Sequence, residues 1–201
     1  MQSYVFFLND KESTDQFTSL KKFRRLKIII SRGMCVILPH SARYNFKICK
    51  TMLIGHEKEQ AVLLKALHAK ASEMVAVIGR RRVGKTFLIR SVYAAHIRFE
   101  TSGVQNASRK EQLENFRKQL RKSFGDLAPS MPLSNWQDAF FALTECIDKS
   151  PDQQRKVLFF DELPWLASRK SGFLNALSFF GTCGPYSKTW SSSFVARRPL
   201  G

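Results

Sequence analysis

The chain has 201 residues, a formal net charge of +17 and an apolar share of 44%, which allows one globular domain with or without extensions. No apolar run reaches the length of a membrane span, and Tyr4-Val5-Phe6-Phe7-Leu8 has no basic region before it to make a secretory signal. Cys35, Cys49, Cys146 and Cys183 lack metal-site or disulfide-frame spacing, so the expectation is a cytoplasmic protein with reduced thiols and no membrane partner.

The excess charge sits mostly at the ends. Residues 1–51 hold ten Lys/Arg against three acids, and residues 181–201 hold three against none. Within the first stretch, Lys21-Lys22-Phe23-Arg24-Arg25-Leu26-Lys27 reads as a solvated basic segment, with binding to a phosphate backbone as the alternative. Residues 1–51 carry no catalytic motif. Ile28-Ile29-Ile30 and Cys35-Val36-Ile37-Leu38 fit short strands, closed by Pro39. After Leu53-Ile54-Gly55-His56-Glu57-Lys58-Glu59, the segment Gln60 to Leu67 has amphipathic helical spacing.

Met74-Val75-Ala76-Val77-Ile78 then reads as a buried strand. It runs into Gly79-Arg80-Arg81-Arg82-Val83-Gly84-Lys85-Thr86, which matches the phosphate-binding loop G-x-x-x-x-G-K-[ST], and the helical spacing of Thr86 to Tyr93 follows. The chemistry explains the residue types. Glycines let main-chain N–H groups approach phosphate oxygens closely, and the following helix N-terminus adds positive potential. Lys85 would reach the β- and γ-phosphates, and the Thr86 hydroxyl would ligate Mg²⁺. Arg80, Arg81 and Arg82 would face phosphate, an acidic partner or water.

Further along, Ile97-Arg98-Phe99-Glu100 fits a second strand. Ser108 with Glu111 forms a capping box before a polar helix from Arg109 to Lys122, whose Leu113, Phe116 and Leu120 make an apolar stripe. Ser134 or Asn135 caps a helix holding Trp136, Ala139, Phe140, Leu143 and Ile147, a core-facing stripe that ends at Pro151-Asp152. Val157-Leu158-Phe159-Phe160-Asp161-Glu162 is an apolar strand ending in two carboxylates, as a Walker B segment requires. Asp161 would hold Mg²⁺, and Glu162 would orient and deprotonate the attacking water. The bland reading of the same pair is a solvated turn after a core strand. Leu163-Pro164-Trp165-Leu166 leaves the strand, and a helix over Phe173 to Phe180 follows.

From Met52 to Phe180, about two thirds of the chain, the sequence resembles a family of prokaryotic AAA+-like ATPases, the archaeal-type ATPase group. The carrying residues are Ile54-Gly55-His56-Glu57, Gly79 to Arg90, Asn106 to Leu113, Asn135-Trp136 and Phe160 to Leu166. His56 stands where the family usually has Arg. The resemblance implies an α/β fold, a P-loop NTPase parallel sheet flanked by helices and incomplete at the C-terminus. It implies ATP as ligand, Mg²⁺ as cofactor and, in complete members, ATP hydrolysis. The domains are then a basic extension over 1–51 from a misassigned start, the N-terminal part of a P-loop ATPase domain over 52–180, and an out-of-frame tail over 181–201.

Three functional readings stand. One is an ATP-binding AAA+-like domain, with Lys85 and Glu162 catalytic, the loop from Gly79 to Thr86 on the nucleotide, and Thr86 and Asp161 on the metal; its hydrolysis is impaired by truncation. The others are a basic nucleic-acid-binding module using residues 20–50, and an inactive truncated product. The tail carries its own expectation. Moved by one base, codons for Phe194 to Gly201 can encode Cys-Gly-Ser-Ala-Thr-Ser-Trp, which the family has after its next strand. A frameshift near Phe179-Phe180 is therefore expected. Sequencing the gene checks it: a coding strand unable to supply those bases refutes the idea.

Overall fold

The structure, a computed structural model, describes residues 3–5, 26–31, 34–36, 56–69, 73–79, 83–150, 156–168, 170–183 and 192–195. In chain order, three strands come first: β1 (Ser3–Val5), β2 (Leu26–Ser31) and β3 (Met34–Val36). Helix α1 (Glu57–Leu67) precedes β4 (Glu73–Ala76), β5 (Ile78–Gly79) and α2 (Lys85–Tyr93). Next are β6 (Ile97–Ser102), α3 (Arg109–Phe124), α4 (Trp136–Lys149) and β7 (Lys156–Asp161). The short α5 (Leu163–Leu166), α6 (Phe173–Cys183) and β8 (Ser192–Val195) complete the set.

The protein is α/β, a small parallel sheet flanked by helices. At one edge β6 pairs with β7, parallel from Ile97 against Val157 to Ser102 against Asp161, with an irregularity between Ile97 and Phe99. Parallel strands end at the same edge of a sheet, so Ser102 and Asp161 finish side by side. On the other side of β7 the sheet continues through one intermediate position to β4, then β2, then the antiparallel β3 and β5. β1 and β8 are both registered on that intermediate position, since Ser3 and Ser193 each face Val157, and Tyr4 and Phe194 each face Met74.

β7 explains the layers. Every residue of Lys156–Asp161 is buried, as expected for a strand covered on both faces. Val157 and Phe159 point to one side, where they meet Leu63, Leu67, Leu88, Ile89 and Tyr93 of α1 and α2. Leu158 and Phe160 point to the other, into the core built from α3, α4 and α6. That second core is aromatic. Phe116 lies 4.9 Å from Phe99, and Trp136 packs edge-on to Phe173 at 4.7 Å. Ring pairs at such distances add to what area burial alone supplies.

Local signals place the helices. Ser108 caps α3: its Oγ accepts from the Glu111 N–H at 3.3 Å, and the Glu111 carboxylate accepts from the Ser108 N–H at 2.7 Å. Hydrogen bonding of the carboxylate to the Ser108 hydroxyl and to the Ser108 N–H holds the Glu111 carboxyl below its ordinary range. Asn135 takes the cap of α4, accepting from the Asp138 N–H at 2.9 Å. The expected end of α3 at Lys122 moves to Phe124, because Phe124 packs into the core and Gly125, at φ 58, stops the helix behind it. The expected single strand over Met74–Ile78 is divided at Val77: β4 pairs with parallel neighbours, while β5 pairs antiparallel with β3. An apolar run without period says nothing about which neighbour each half will choose.

Cys146 is fully buried on α4, its Sγ 3.2 Å from the Leu127 carbonyl oxygen. Burial pushes its thiol up to about 11 from 9.0, with Glu145 adding to the rise. The folded thiol thus resists ionisation while the unfolded one does not. Its stabilising contribution is complete below pH 9 and is lost as pH rises towards 11. Urea unfolding across that window is expected to show falling stability, and Cys146→Ala should remove that part of the fall.

Candidate functional site

The site begins at the N-terminus of α2. Gly84 stands just before it at φ 81, in the left-handed region, and its carbonyl oxygen accepts the Leu88 N–H at 2.8 Å. Among the described residues no atom lies within 4 Å of where a Cβ would be on Gly84. The loop conformation, not crowding, therefore requires glycine here. Lys85 opens the helix and is 3% exposed. Thr86 follows, half-buried. Of the expected phosphate loop, Gly79, Val83, Gly84, Lys85 and Thr86 are described, whereas Arg80, Arg81 and Arg82 lie outside the described residues.

The second half comes from the end of β7. Asp161 is 7% exposed and Glu162 is 8% exposed. The Thr86 hydroxyl donates to Asp161 Oδ2 at 3.2 Å, across a separation of 75 residues. The other carboxylate oxygen, Oδ1, accepts the N–H of Glu162 at 3.0 Å. Burying a carboxylate is costly unless hydrogen bonds replace its water, and these two bonds do so. Thus Lys85, Thr86, Asp161 and Glu162 belong to one buried locus where the first turn of α2 meets the end of β7.

Glu162 holds an unusual main-chain conformation. Its φ of 53 places it in the left-handed region, disfavoured for a residue with a side chain. It caps α5, whose first turn contains Pro164, and its carbonyl oxygen accepts the Trp165 N–H at 3.0 Å. The surroundings hold this turn. Gly103, just past β6, donates its N–H to the Asp161 carbonyl oxygen at 2.9 Å. A Cβ on Gly103 would lie 2.5 Å from the Glu162 carbonyl oxygen and 3.0 Å from Trp165 Cβ. Only glycine lets the two chain segments lie this close.

Gln112 on α3 completes the support. Its Nε2 donates to the Val104 carbonyl oxygen at 2.6 Å and to that of Trp165 at 3.3 Å, while its Oε1 accepts the Val104 N–H at 3.1 Å. One side chain therefore ties the loop after β6 to α5. Neither Gly103 nor Gln112 was singled out by function from the sequence, although a glycine directly after a strand and a glutamine beside the apolar stripe of α3 are visible signals. Farther along α2, Arg90 pairs with Glu100 of β6. That bond, with the Asp161 carboxylate adding to it, raises the affinity of the guanidinium for its proton. His56 sits at φ 57 before α1, its Nδ1 3.8 Å from the Glu59 carboxylate and away from these residues in the chain.

Comparison with protein-family models, with curated proteins and with solved structures finds no match to this chain. Among the described residues no helix is long and apolar enough to cross a membrane.

The two glycines separate two physical causes. Gly103→Ala must displace the main chain of the Glu162 turn and is expected to cost about 2 kcal/mol. Gly84→Ala meets no neighbour among the described residues and should cost about 1 kcal/mol through its positive φ alone. Urea denaturation of both variants checks the order; equal losses would contradict it.

Proposed function

We propose that the chain adopts a P-loop NTPase sheet and binds ATP with Mg²⁺ at the locus between α2 and β7. The observation that carries the reading is the 3.2 Å contact from the Thr86 hydroxyl to the Asp161 carboxylate, joining the two motifs across 75 residues. A phosphate-loop threonine and a strand-end aspartate have no local reason to meet. Sharing one metal–nucleotide complex is a reason for them to do so.

The donor chemistry fits Mg²⁺. Thr86 and Asp161 offer hard oxygen atoms, and among the described residues no group of three His, Cys, Asp or Glu makes a closed protein cage. Mg²⁺ is commonly held by one or two protein oxygens while substrate phosphates and water fill its remaining positions. When bound, the ion would neutralise charge on the phosphate oxygens. The chain's own residues supply the rest. The α2 N-terminus and the N–H groups of the loop orient the phosphates. Lys85, buried where its charge is poorly screened, holds phosphate charge. Asp161 fixes Thr86, and Glu162, adjoining it in a constrained turn, positions and deprotonates water. Gly103 and Gln112 act through that turn as positioning residues.

Hydrolysis is proposed to be slow. Among the described residues, the strands registered between β4 and β7, beside the loop strand and the carboxylate strand, are β1 and β8, which are three and four residues long. Strands this short give the sheet centre little pairing energy.

Binding and turnover separate the roles. With a fluorescent ATP analogue and Mg²⁺, Lys85→Ala is expected to weaken binding more than about tenfold. Glu162→Gln should bind as the parent does and lose about a hundredfold in phosphate release. Unchanged turnover in Glu162→Gln would remove its assignment as base. Unchanged binding in Lys85→Ala would remove the nucleotide site.

A further inference from the structure

β6 pairs with β7 along one side. Among the described residues β7 is its single strand neighbour, and its other edge faces a groove of about 520 Å³ between α2 and α3. An unpaired edge is a template for another strand. At one end of the strand the main-chain edge is already taken, since Asn115 Nδ2 donates to the Ser102 carbonyl oxygen at 2.9 Å. The open part therefore runs along Ile97 to Thr101.

The lining is polar and cationic. Arg90, Arg98 and Lys122 bring positive charge, and Glu100, the carboxylate among the lining residues, is tied to Arg90. Two polar atoms there are buried without a hydrogen-bond partner: Thr101 Oγ1, on a residue 2% exposed, and Arg98 Nε. A buried donor or acceptor left unmade is costly, but both atoms are shut off from solvent, so a ligand reaches them only after those side chains turn toward the groove. No aromatic face is presented for stacking, because Phe99 and Phe124 are buried and the Arg98 guanidinium lies over the Phe124 ring at 5.9 Å.

We propose that this edge binds an extended, acidic segment of another protein, which adds a strand beside β6 and places its carboxylates on Arg98 and Lys122. Main-chain bonds to β6 supply affinity, and the cations select the charge. Nucleic acid is the less suited ligand, since single strands are held by stacking as well as by phosphate contacts. This chain is itself unsuited, because its net charge is +17 and both its ends are basic. The site does not depend on nucleotide binding.

The full chain can be titrated with a dye-labelled short peptide of alternating Asp and Val, followed by fluorescence anisotropy. Binding is expected, with hydrogen-exchange protection over Ile97 to Thr101. A peptide of alternating Lys and Val should not bind. The Asp–Val peptide with alternate amides N-methylated keeps its charge but cannot form a ladder, and it should lose affinity at least about tenfold. Lys122→Glu, on an exposed helical position, should weaken the parent peptide about tenfold while leaving the thermal melt unchanged. No binding of the Asp–Val peptide overturns the proposal. Equal binding of the N-methylated peptide also overturns it, leaving a non-specific anion patch. Displacement by oligothymidine at equal concentration would make the groove a nucleic-acid site instead.

Discussion

A hydroxyl and a carboxylate joined across the interior hold the functional region together. Thr86 belongs to the first turn of α2, and Asp161 is the last residue of β7. Their hydrogen bond seats a helix end on a strand end, where two otherwise apolar layers meet. An isolated carboxylate in such a place would be strongly disfavoured. The bond from Thr86 and the bond from the chain's own Glu162 N–H make the burial tolerable, and both constrain the aspartate's orientation.

The remaining geometry follows from parallel pairing. β6 and β7 run the same way, so their ends arrive together, and the loop after β6 lies against the turn after β7. Gly103 permits that approach, and Gln112 fastens it. The left-handed conformation of Glu162 is sustained by these neighbours rather than by its own preference. Strain of this kind persists only where surrounding contacts over-determine it, and Gly103 and Gln112 supply such contacts here.

The same strand pair serves the opposite side as well. One edge of β6 is satisfied by β7, and the other carries the cationic groove. Arg90 connects the two regions: it lies on the helix that begins with Lys85, and it holds Glu100 of the edge strand. The carboxylate of Asp161 acts on the same guanidinium through space. Arg90 is thus the groove residue on which the buried locus acts.

Much was legible in the sequence where the cause is local. The caps at Ser108 and Asn135, the stripes of α3 and α4, and the continuous apolar run of β7 all depend on neighbours within about one helical turn or one strand. The sequence reading also expected Thr86 and Asp161 to share one Mg²⁺, and the structure brings the two side chains to 3.2 Å. Other features were decided only by tertiary structure. The division of Met74–Ile78 between two ladders, the left-handed turn at Glu162, the clamp by Gln112 and the open edge of β6 join residues far apart in the chain. Such contacts have no period and no fixed spacing. They arise when layers close on one another and each polar group must find what the packed neighbours leave within reach.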